Sequence, residues 1–219
     1  MRVAIVDDSS LFRNGLAALL TEAGVEVAAE GATADEIIGR LALDPPDAVI
    51  LDVRLPPTYT QEGIAAAERI RRDHPGIGVL LLSTYAVTAY AAQLLDRDSR
   101  GVGYLLKDNV SDVPALCEAI GRVIQGDAVI DRQIVARLMA RERWSAELAP
   151  LSERERAVLG LMAEGRSNAA IGQRLHLSPR TVEGHIARLF QKLGLPDAPD
   201  DNRRVLAVLR WLRGEAAGE

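Results

Sequence analysis

The sequence predicts two domains of different fold class: a doubly wound α/β domain over residues 1–126 and an all-α domain of four helices over residues 151–213. Short apolar runs alternate with helical patterns in the first part, whereas only helical periodicity is found in the second. Residues 1–126 hold 11 basic and 18 acidic side chains, but residues 151–213 hold 11 basic and 7 acidic ones. This charge division favours two domains with different partners.

The strands of the first domain are predicted from apolar runs that end in polar residues. These runs are residues 3–6, 48–51, 79–82 and 104–106, with a weaker one at residues 25–29. Continuous apolar runs of this length are typical of strands that are buried on both faces of a parallel sheet. Helical patterns lie between and after them, at residues 10–23, 34–43, 63–74, 87–96 and 113–125. The pattern therefore predicts a sheet of five parallel strands with helices on both faces.

Polar side chains gather where these strands end, namely Asp7, Asp8, Asp52, Ser83 and Lys107. In sheets of this class, ligands bind outside the carboxyl ends of the strands. Three crowded carboxylates stay ionised only when a cation joins them, and oxygen ligands alone favour Mg²⁺. A lysine and a hydroxyl beside them suit phosphoryl oxygens. The residues therefore predict a carboxylate nucleophile that accepts a phosphoryl group.

Four motifs, "VDDS", "LDVRLPP", "LLST" and "GYLLKD", resemble the signature of a bacterial response-regulator receiver domain, which has a flavodoxin-like fold. The resemblance implies that Asp52 is the phosphoacceptor, and that Mg²⁺ is held by Asp7, Asp8, Asp52 and the backbone carbonyl of Arg54. It also implies that Lys107 and a switch hydroxyl contact the phosphoryl oxygens, and that Tyr104 swings inward on activation. Either Ser83 or Thr84 could supply this hydroxyl, and we favour Ser83 because it directly ends the strand.

Two features depart from the simplest receivers. Many receivers have a proline after the lysine, with a cis peptide that shapes the loop, but here Asp108 follows Lys107. The "LPPTYTQEG" segment after the acceptor strand is also longer, and its composition predicts a loop over the site. The lone Cys117 cannot form an internal disulfide and is assigned no role.

Capping signals divide the second domain into helices. Ser152 with Glu155 forms a capping box, and Gly165 is expected to end that helix. Ser167 caps the next helix, and Ser178 with Pro179 begins the third. A fourth helix is predicted at residues 202–212. Two helices that are joined by a tight turn inside a four-helix unit predict a helix-turn-helix.

Residues 151–195 resemble the LuxR-type output domain of the NarL/FixJ response regulators. In the third helix one apolar stripe packs inward, and small residues lie at the centre of the opposite face. The resemblance implies that Glu183, Gly184 and Ala187 face the bases, and that the phosphates are contacted by Arg180, Thr181, Arg188 and Lys192. Glu183 departs from members that present lysines to the bases: it either accepts from a cytosine amino group or repels the wrong register.

The segment between the domains, residues 127–150, is predicted to be a linker helix, and residues 214–219 a short tail. From sequence, Trp144 either packs against one domain or is exposed. His185 is interpreted as a packing or phosphate-facing side chain rather than a metal ligand. The fourth helix of the second domain has broader apolar cover than one small domain requires. The resemblance implies that this helix dimerises, through Val205, Leu206 and Leu209.

Together these features predict a phosphorylation-controlled, DNA-binding transcription regulator rather than an enzyme. Its expected partners are a sensor histidine kinase, double-stranded DNA and a second copy of the chain, with Mg²⁺ as cofactor. The single cysteine, the lack of a signal peptide and the lack of about 18 consecutive apolar residues favour the cytoplasm and no membrane partner.

Three rival functions are less consistent with the sequence. The principal alternative is a phosphorylation-independent DNA-binding regulator with a vestigial receiver, which the intact acidic set disfavours. A phosphatase or phosphomutase using Asp52 is disfavoured because Arg54 stands where the haloacid-dehalogenase fold typically has a second aspartate. An interaction scaffold would leave the basic second domain unexplained.

Overall fold

The computed structural model describes residues 1–97, 100–110, 112–198 and 200–215. The chain divides into two compact units, Met1–Val135 and Ala136–Glu219. Residues 216–219 of the predicted tail lie outside the described residues. None of the helices in the described part has the length and hydropathy that a membrane span requires.

The first unit contains a parallel sheet with helices between its strands, as predicted. Its strands are β1 (Arg2–Val6), β2 (Glu26–Gly31), β3 (Ala48–Asp52), β4 (Gly78–Ser83), β5 (Val102–Leu106) and β6 (Val129–Ile130). Within the described residues the sheet order is β2-β1-β3-β4-β5-β6, and every neighbouring pair is parallel. This order brings the carboxyl ends of β1, β3, β4 and β5 to one edge, which is where the polar residues were predicted to meet.

The prediction of a helix over residues 127–150 is wrong at its start. Gly126 turns the chain with φ +93°, and the next residues form β6, in which Val129 pairs with Gly103. A helix, α6 (Arg132–Leu148), begins only after this strand. The apolar Val129 is buried, so the pairing extends the core of the first unit by one short strand. The predicted five-strand sheet is thus present, and β6 adds a sixth strand beside β5.

Helices cover both faces of this sheet. They are α1 (Ser10–Glu22), α2 (Ala34–Leu41), α3 (Glu62–Asp73), α4 (Thr88–Arg97) and α5 (Val113–Ile124). Ser9 caps α1 by accepting from the backbone N–H of Phe12, and Asp112 caps α5 by accepting from that of Ala115. Strands β1, β3 and β4 are almost wholly buried, which explains their continuous apolar sequences. Each fully buried Val, Leu or Ile contributes about 1.5–3 kcal/mol to folding.

The second unit is helical, as predicted. It contains the later part of α6 together with α7 (Glu153–Ala163), α8 (Asn168–Leu175), α9 (Pro179–Lys192) and α10 (Arg203–Glu215). The predicted capping box is confirmed, because Ser152 and Glu155 bond reciprocally to each other's backbone N–H. Trp144 is not an isolated side chain: its ring meets that of Trp211 edge-on, with centroids 5.9 Å apart. Gly172, within α8, lets the turn before α9 lie close against the helix, since a Cβ there would lie 2.8 Å from the carbonyl oxygen of Leu177.

Candidate phosphorylation site and nucleic-acid interface

Three carboxylates meet at the carboxyl edge of the sheet. Asp7 follows β1 and Asp52 ends β3; both side chains are buried, whereas Asp8 is exposed. One oxygen from each of the three lies within 4.8 Å of the others. Backbone donors orient the two buried groups: the N–H of Ser9 donates to Asp7 at 3.0 Å, and that of Arg54 donates to Asp52 at 3.3 Å. This all-oxygen donor set suits a hard divalent cation such as Mg²⁺.

Lys107 joins two of these carboxylates. Its Nζ donates to Oδ2 of Asp7 at 2.7 Å and to Oδ2 of Asp52 at 2.8 Å. The ammonium also lies 4.5 Å from the ring centroid of Phe12, where the ring face attracts a cation. Burial alone would lower the pKa of Lys107, but its bonds to Asp52 and Asp7 outweigh burial and raise it. Burial raises the pKa of Asp7, against the opposing effect of Lys107. The lysine therefore stays charged and neutralises part of the cluster.

Two of the predicted switch residues, Ser83 and Tyr104, donate hydrogen bonds to the same backbone carbonyl, that of Tyr85. The hydroxyl of Ser83 donates to this carbonyl at 2.8 Å, and the hydroxyl of Tyr104 donates to it at 3.2 Å. Ser83 is buried at the end of β4, whereas Thr84 is exposed. Tyr104 is fully buried, and burial raises the pKa of its hydroxyl. The ring that was predicted to swing inward on activation is therefore already inward in this conformation.

The two unusual segments of the sequence both form ordered turns. Lys107–Asn109 form a 3-10 turn, in which Asp108 occupies the position where many receivers have a proline. In the loop before α3, both carboxylate oxygens of Glu62 are used: one accepts from the N–H of Thr58 at 3.2 Å, and the other from the N–H of Thr60 at 2.8 Å. Close to this loop, the guanidinium of Arg54 lies 4.8 Å from the ring centroid of Tyr85.

In the second unit, the predicted DNA-contacting residues lie on the outer face of α9. The inward stripe, Val182, Ile186 and Leu189, is buried. On the other side Gly184 is half-buried and the rest are exposed: Arg180, Thr181, Glu183, Ala187, Arg188 and Lys192. Among the described residues, a Cβ built at Gly184 would meet the far end of Arg188 alone, at 4.0 Å. Packing against these residues therefore does not require glycine at position 184.

Two of these basic residues also have a partner inside the domain. Glu155 is buried, and its Oε2 accepts from Nζ of Lys192 at 2.7 Å, while Nε of Arg188 lies 3.6 Å from Oε1. Burial opposes ionisation of Glu155, but bonds from Lys192 and Ser152 outweigh it and lower its pKa to about 2. Lys192 therefore links α9 to the first turn of α7. The sequence predicted only a contact with DNA phosphate for this lysine. His185 lies beside Arg188, with Nδ1 3.2 Å from Nη2.

The predicted dimerisation residues divide between two faces of α10. Val205 is 51% exposed and Leu209 is 45% exposed, and Leu212 extends this stripe at 44%. Leu206 instead packs against the core of its own unit. The position of Leu206 therefore does not support its predicted role in dimerisation. Helix α10 needs one apolar face to pack against its own domain, and Leu206 lies on that face.

Two family models match the chain. That of the response regulator receiver domain matches residues 3–121, and that of bacterial regulatory proteins of the luxR family matches residues 149–201. The chain belongs to the NarL/FixJ response regulators. The resemblance seen in the sequence is thereby confirmed.

Individual relatives support this assignment, and each of them aligns with most of this chain. The chain is 33% identical over 200 residues to the DNA-binding transcriptional activator DevR/DosR of Mycobacterium tuberculosis, with 89% of each chain covered. It is 30% identical over 217 residues to the transcriptional regulatory protein DegU of Brevibacillus brevis, with 90% of this chain and 89% of the other covered. RcsB of Salmonella enterica serovar Typhimurium, solved bound to promoter rprA with the phosphomimetic BeF₃⁻, aligns with TM-score 0.53 and 26% identity over 98% of this chain and 99% of that one.

Gly63 is a site residue of this response regulator that sequence reasoning missed. A Cβ there would lie 1.9 Å from the carbonyl oxygen of Asp52 and 2.9 Å from Cα of Val53. Its N–H donates to the carbonyl of Val53 at 3.0 Å, so the start of α3 lies directly against the end of β3. A glycine at the first turn of a predicted helix was the available signal, but the sequence did not reveal which backbone it touches.

Proposed function

We propose that this response regulator controls transcription through phosphorylation of Asp52. One observation carries the proposal: Lys107 bridges the buried carboxylates of Asp7 and Asp52, with Asp8 within 4.8 Å, at the ligand-binding edge of the sheet. A buried carboxylate beside a fixed ammonium and a candidate metal site is suited to attack a phosphoryl group.

Each residue of the site has a proposed role. Asp7, Asp8, Asp52 and the carbonyl of Arg54 would hold Mg²⁺, which neutralises phosphoryl oxygens when bound. Lys107 turns from the two carboxylates to a phosphoryl oxygen. Ser83 also donates to the phosphoryl group, and its hydroxyl leaves the carbonyl of Tyr85 to do so. Tyr104 keeps its bond to that carbonyl, which favours the inward position of its ring.

The proposed output is binding of DNA by a dimer. Helix α9 would lie in the major groove with Glu183, Gly184 and Ala187 at the bases, and Arg180, Thr181 and Arg188 at phosphates. Residues 151–213 carry a net charge of only +4, so one copy binds weakly and two copies double the phosphate contacts. The exposed stripe of Val205 and Leu209 is the proposed dimer surface. We place the protein in the cytoplasm, where a sensor histidine kinase would supply the phosphoryl group.

The test follows phosphorylation and DNA binding in the same samples. Full-length protein is incubated with acetyl phosphate and Mg²⁺, separated on a Phos-tag gel, and titrated against a DNA fragment found by footprinting upstream of neighbouring genes. We expect a retarded band and tighter DNA binding for the wild type. Asp52→Asn should show neither, while Asp108→Asn, an exposed aspartate beside Lys107, should behave as the wild type. DNA binding that is equal with and without phosphorylation would favour the vestigial receiver instead.

A further inference from the structure

The carboxylate of Asp131 lies at the junction between β5, β6 and α6. The residue follows β6, precedes α6 and is buried, with 5% of its surface exposed. Its Oδ1 accepts from the backbone N–H of Gln133 at 2.8 Å, which caps the first turn of α6. Its Oδ2 accepts from the N–H of Leu106 at 3.4 Å and from Nδ2 of Asn109 at 2.5 Å. One side chain thus joins the start of α6 to the end of β5.

These contacts surround the residue that carries the phosphoryl-site ammonium. Leu106 and Asn109 stand immediately before and two residues after Lys107, and Lys107–Asn109 form one 3-10 turn. The backbone N–H of Asp131 also donates to the carbonyl of Tyr104 at 2.9 Å. The turn is therefore fixed at both ends by a residue that is far along the chain from it. This is the segment in which Asp108 replaces the proline that many receivers have.

We propose that Asp131 is the positioning residue for Lys107, an inference that rests on the proposed function of the site. The carboxylate aligns the 3-10 turn so that Nζ of Lys107 reaches Asp7 and Asp52, and hence a phosphoryl oxygen on Asp52. Hydrogen bonds to an ionised acceptor in a buried place are stronger than those between neutral groups. Because the same carboxylate caps α6, the alignment of Lys107 depends on where α6 begins, and this helix continues into the second unit.

The Asp131→Asn variant cannot cap α6 and hold the Lys107 turn at the same time. Asparagine caps helices as well as aspartate does, so α6 can keep its first turn. Its amide nitrogen would then face two donors, the N–H of Leu106 and the side chain of Asn109. The opposite orientation restores these contacts but faces the N–H of Gln133 with a donor. Asp131→Asn therefore loosens the Lys107 turn or the cap, whichever way its amide points.

The experiment measures initial rates of phosphorylation by acetyl phosphate, on full-length protein, over a series of Mg²⁺ concentrations. We expect the maximal rate to fall about tenfold in Asp131→Asn and about threefold in Asn109→Ala. The Mg²⁺ concentration for half-maximal rate should stay the same or fall, because Asp131 contacts none of the three carboxylates and a loosened Lys107 competes less for them. Asn109 is exposed, so its variant keeps the test valid if Asp131→Asn does not fold.

The matched control is Asp112→Asn, which makes the same change at the cap of α5. Its rates should equal those of the wild type. Wild-type rates in both Asp131→Asn and Asn109→Ala overturn the proposal. A rate loss accompanied by a proportionally higher Mg²⁺ requirement, or shared by Asp112→Asn, also overturns it, because that pattern indicates general destabilisation. A wild-type chain that takes up no phosphoryl group removes the proposed function and this inference with it, whereas normal phosphorylation of all variants removes only the inference.

Discussion

Replacing Lys107 by methionine removes the charge that holds the acidic cluster together. Methionine keeps a flexible side chain of similar length, so the main change is electrostatic. In the wild type the ammonium lies 2.7 Å from Asp7 and 2.8 Å from Asp52, and only 14% of the lysine side chain is exposed. After the substitution, the carboxylates of Asp7, Asp8 and Asp52 face one another within 4.8 Å.

The size of the effect follows from these distances. At an effective dielectric constant of about 20, each lysine–carboxylate contact is worth about 6 kcal/mol before desolvation, and two carboxylates at the cluster distance repel by about 3 kcal/mol. Desolvation of the buried charges cancels most of the attraction, so a net loss of about 3–5 kcal/mol is expected when one partner of a buried pair is removed. Bound Mg²⁺ would supply the missing positive charge, and should therefore restore much of this stability.

The pH dependence of Lys107→Met has a definite sign. Burial already raises the pKa of Asp7, and loss of the lysine removes the main effect that opposes this rise. The folded state then holds a proton that the unfolded state releases, so without Mg²⁺ the variant loses stability as pH rises through the folded-state pKa of Asp7. Saturating Mg²⁺ should flatten this dependence.

Urea unfolding measures these effects separately in the two units. All four tyrosines lie in the first unit and both tryptophans lie in the second, so tyrosine emission follows the first and tryptophan emission the second. Lys192→Met is the matched control: it changes the only other lysine of the chain, which also pairs with a buried carboxylate. It should weaken the second unit without any response to Mg²⁺. If Lys107→Met and the wild type unfold at the same urea concentration, or gain equally from Mg²⁺, then Lys107 does not stabilise the acidic cluster through its charge.

Three further variants test other parts of the structure. Glu155→Gln should lower the unfolding free energy of the second unit by about 2 kcal/mol, because it weakens a buried charge-assisted hydrogen bond. Since the folded pKa of Glu155 is about 2, the wild type should lose this contribution as pH falls from about 4.5 towards 2, and the variant should not. Gly63→Ala should cost about 2–3 kcal/mol and slow phosphorylation, because its Cβ displaces the backbone of Asp52. The double variant Val205→Asp and Leu209→Asp should fold normally but form no phosphorylated dimer in sedimentation velocity. It should also need at least about tenfold more DNA for half-saturation.

Each of these three has its own control. Glu153→Gln changes an exposed carboxylate in the same turn of α7, and an equal loss of stability there would contradict the role given to the buried one. Gly39→Ala alters a helical glycine with open space around it, and should be neutral or stabilising. For α10, a dimer that survives both aspartates would place the interface elsewhere. Leu11→Asp, on the exposed face of α1, should leave dimerisation unchanged.

Local patterns in the sequence predicted most of the fold and the main site. Strand ends are visible as apolar runs followed by polar residues, and parallel topology then brings Asp7, Asp52 and Lys107 together. Contacts between distant segments have no such signal. The two-residue strand β6 is too short for any periodicity, so the segment around Asp131 was read as helix. The Lys192–Glu155 pair joins residues 37 positions apart, and neither residue marks the other.

The faces of amphipathic helices were also only partly predictable. The apolar residues of α10 form a wide band, and the sequence alone does not divide it between the domain core and an exposed surface. The structure makes that division, with Leu206 inward and Val205 and Leu209 outward. On α9 the division was clear beforehand, because its buried stripe is narrow and its other side is polar.

Direct identification of the modified residue tests whether Asp52 becomes phosphorylated. Borohydride reduces an aspartyl phosphate to homoserine, so the modified position can be read by peptide mass spectrometry after incubation with acetyl phosphate. We expect homoserine at position 52 only when both acetyl phosphate and Mg²⁺ are present. Homoserine at another aspartate, or none at position 52 under these conditions, would contradict it.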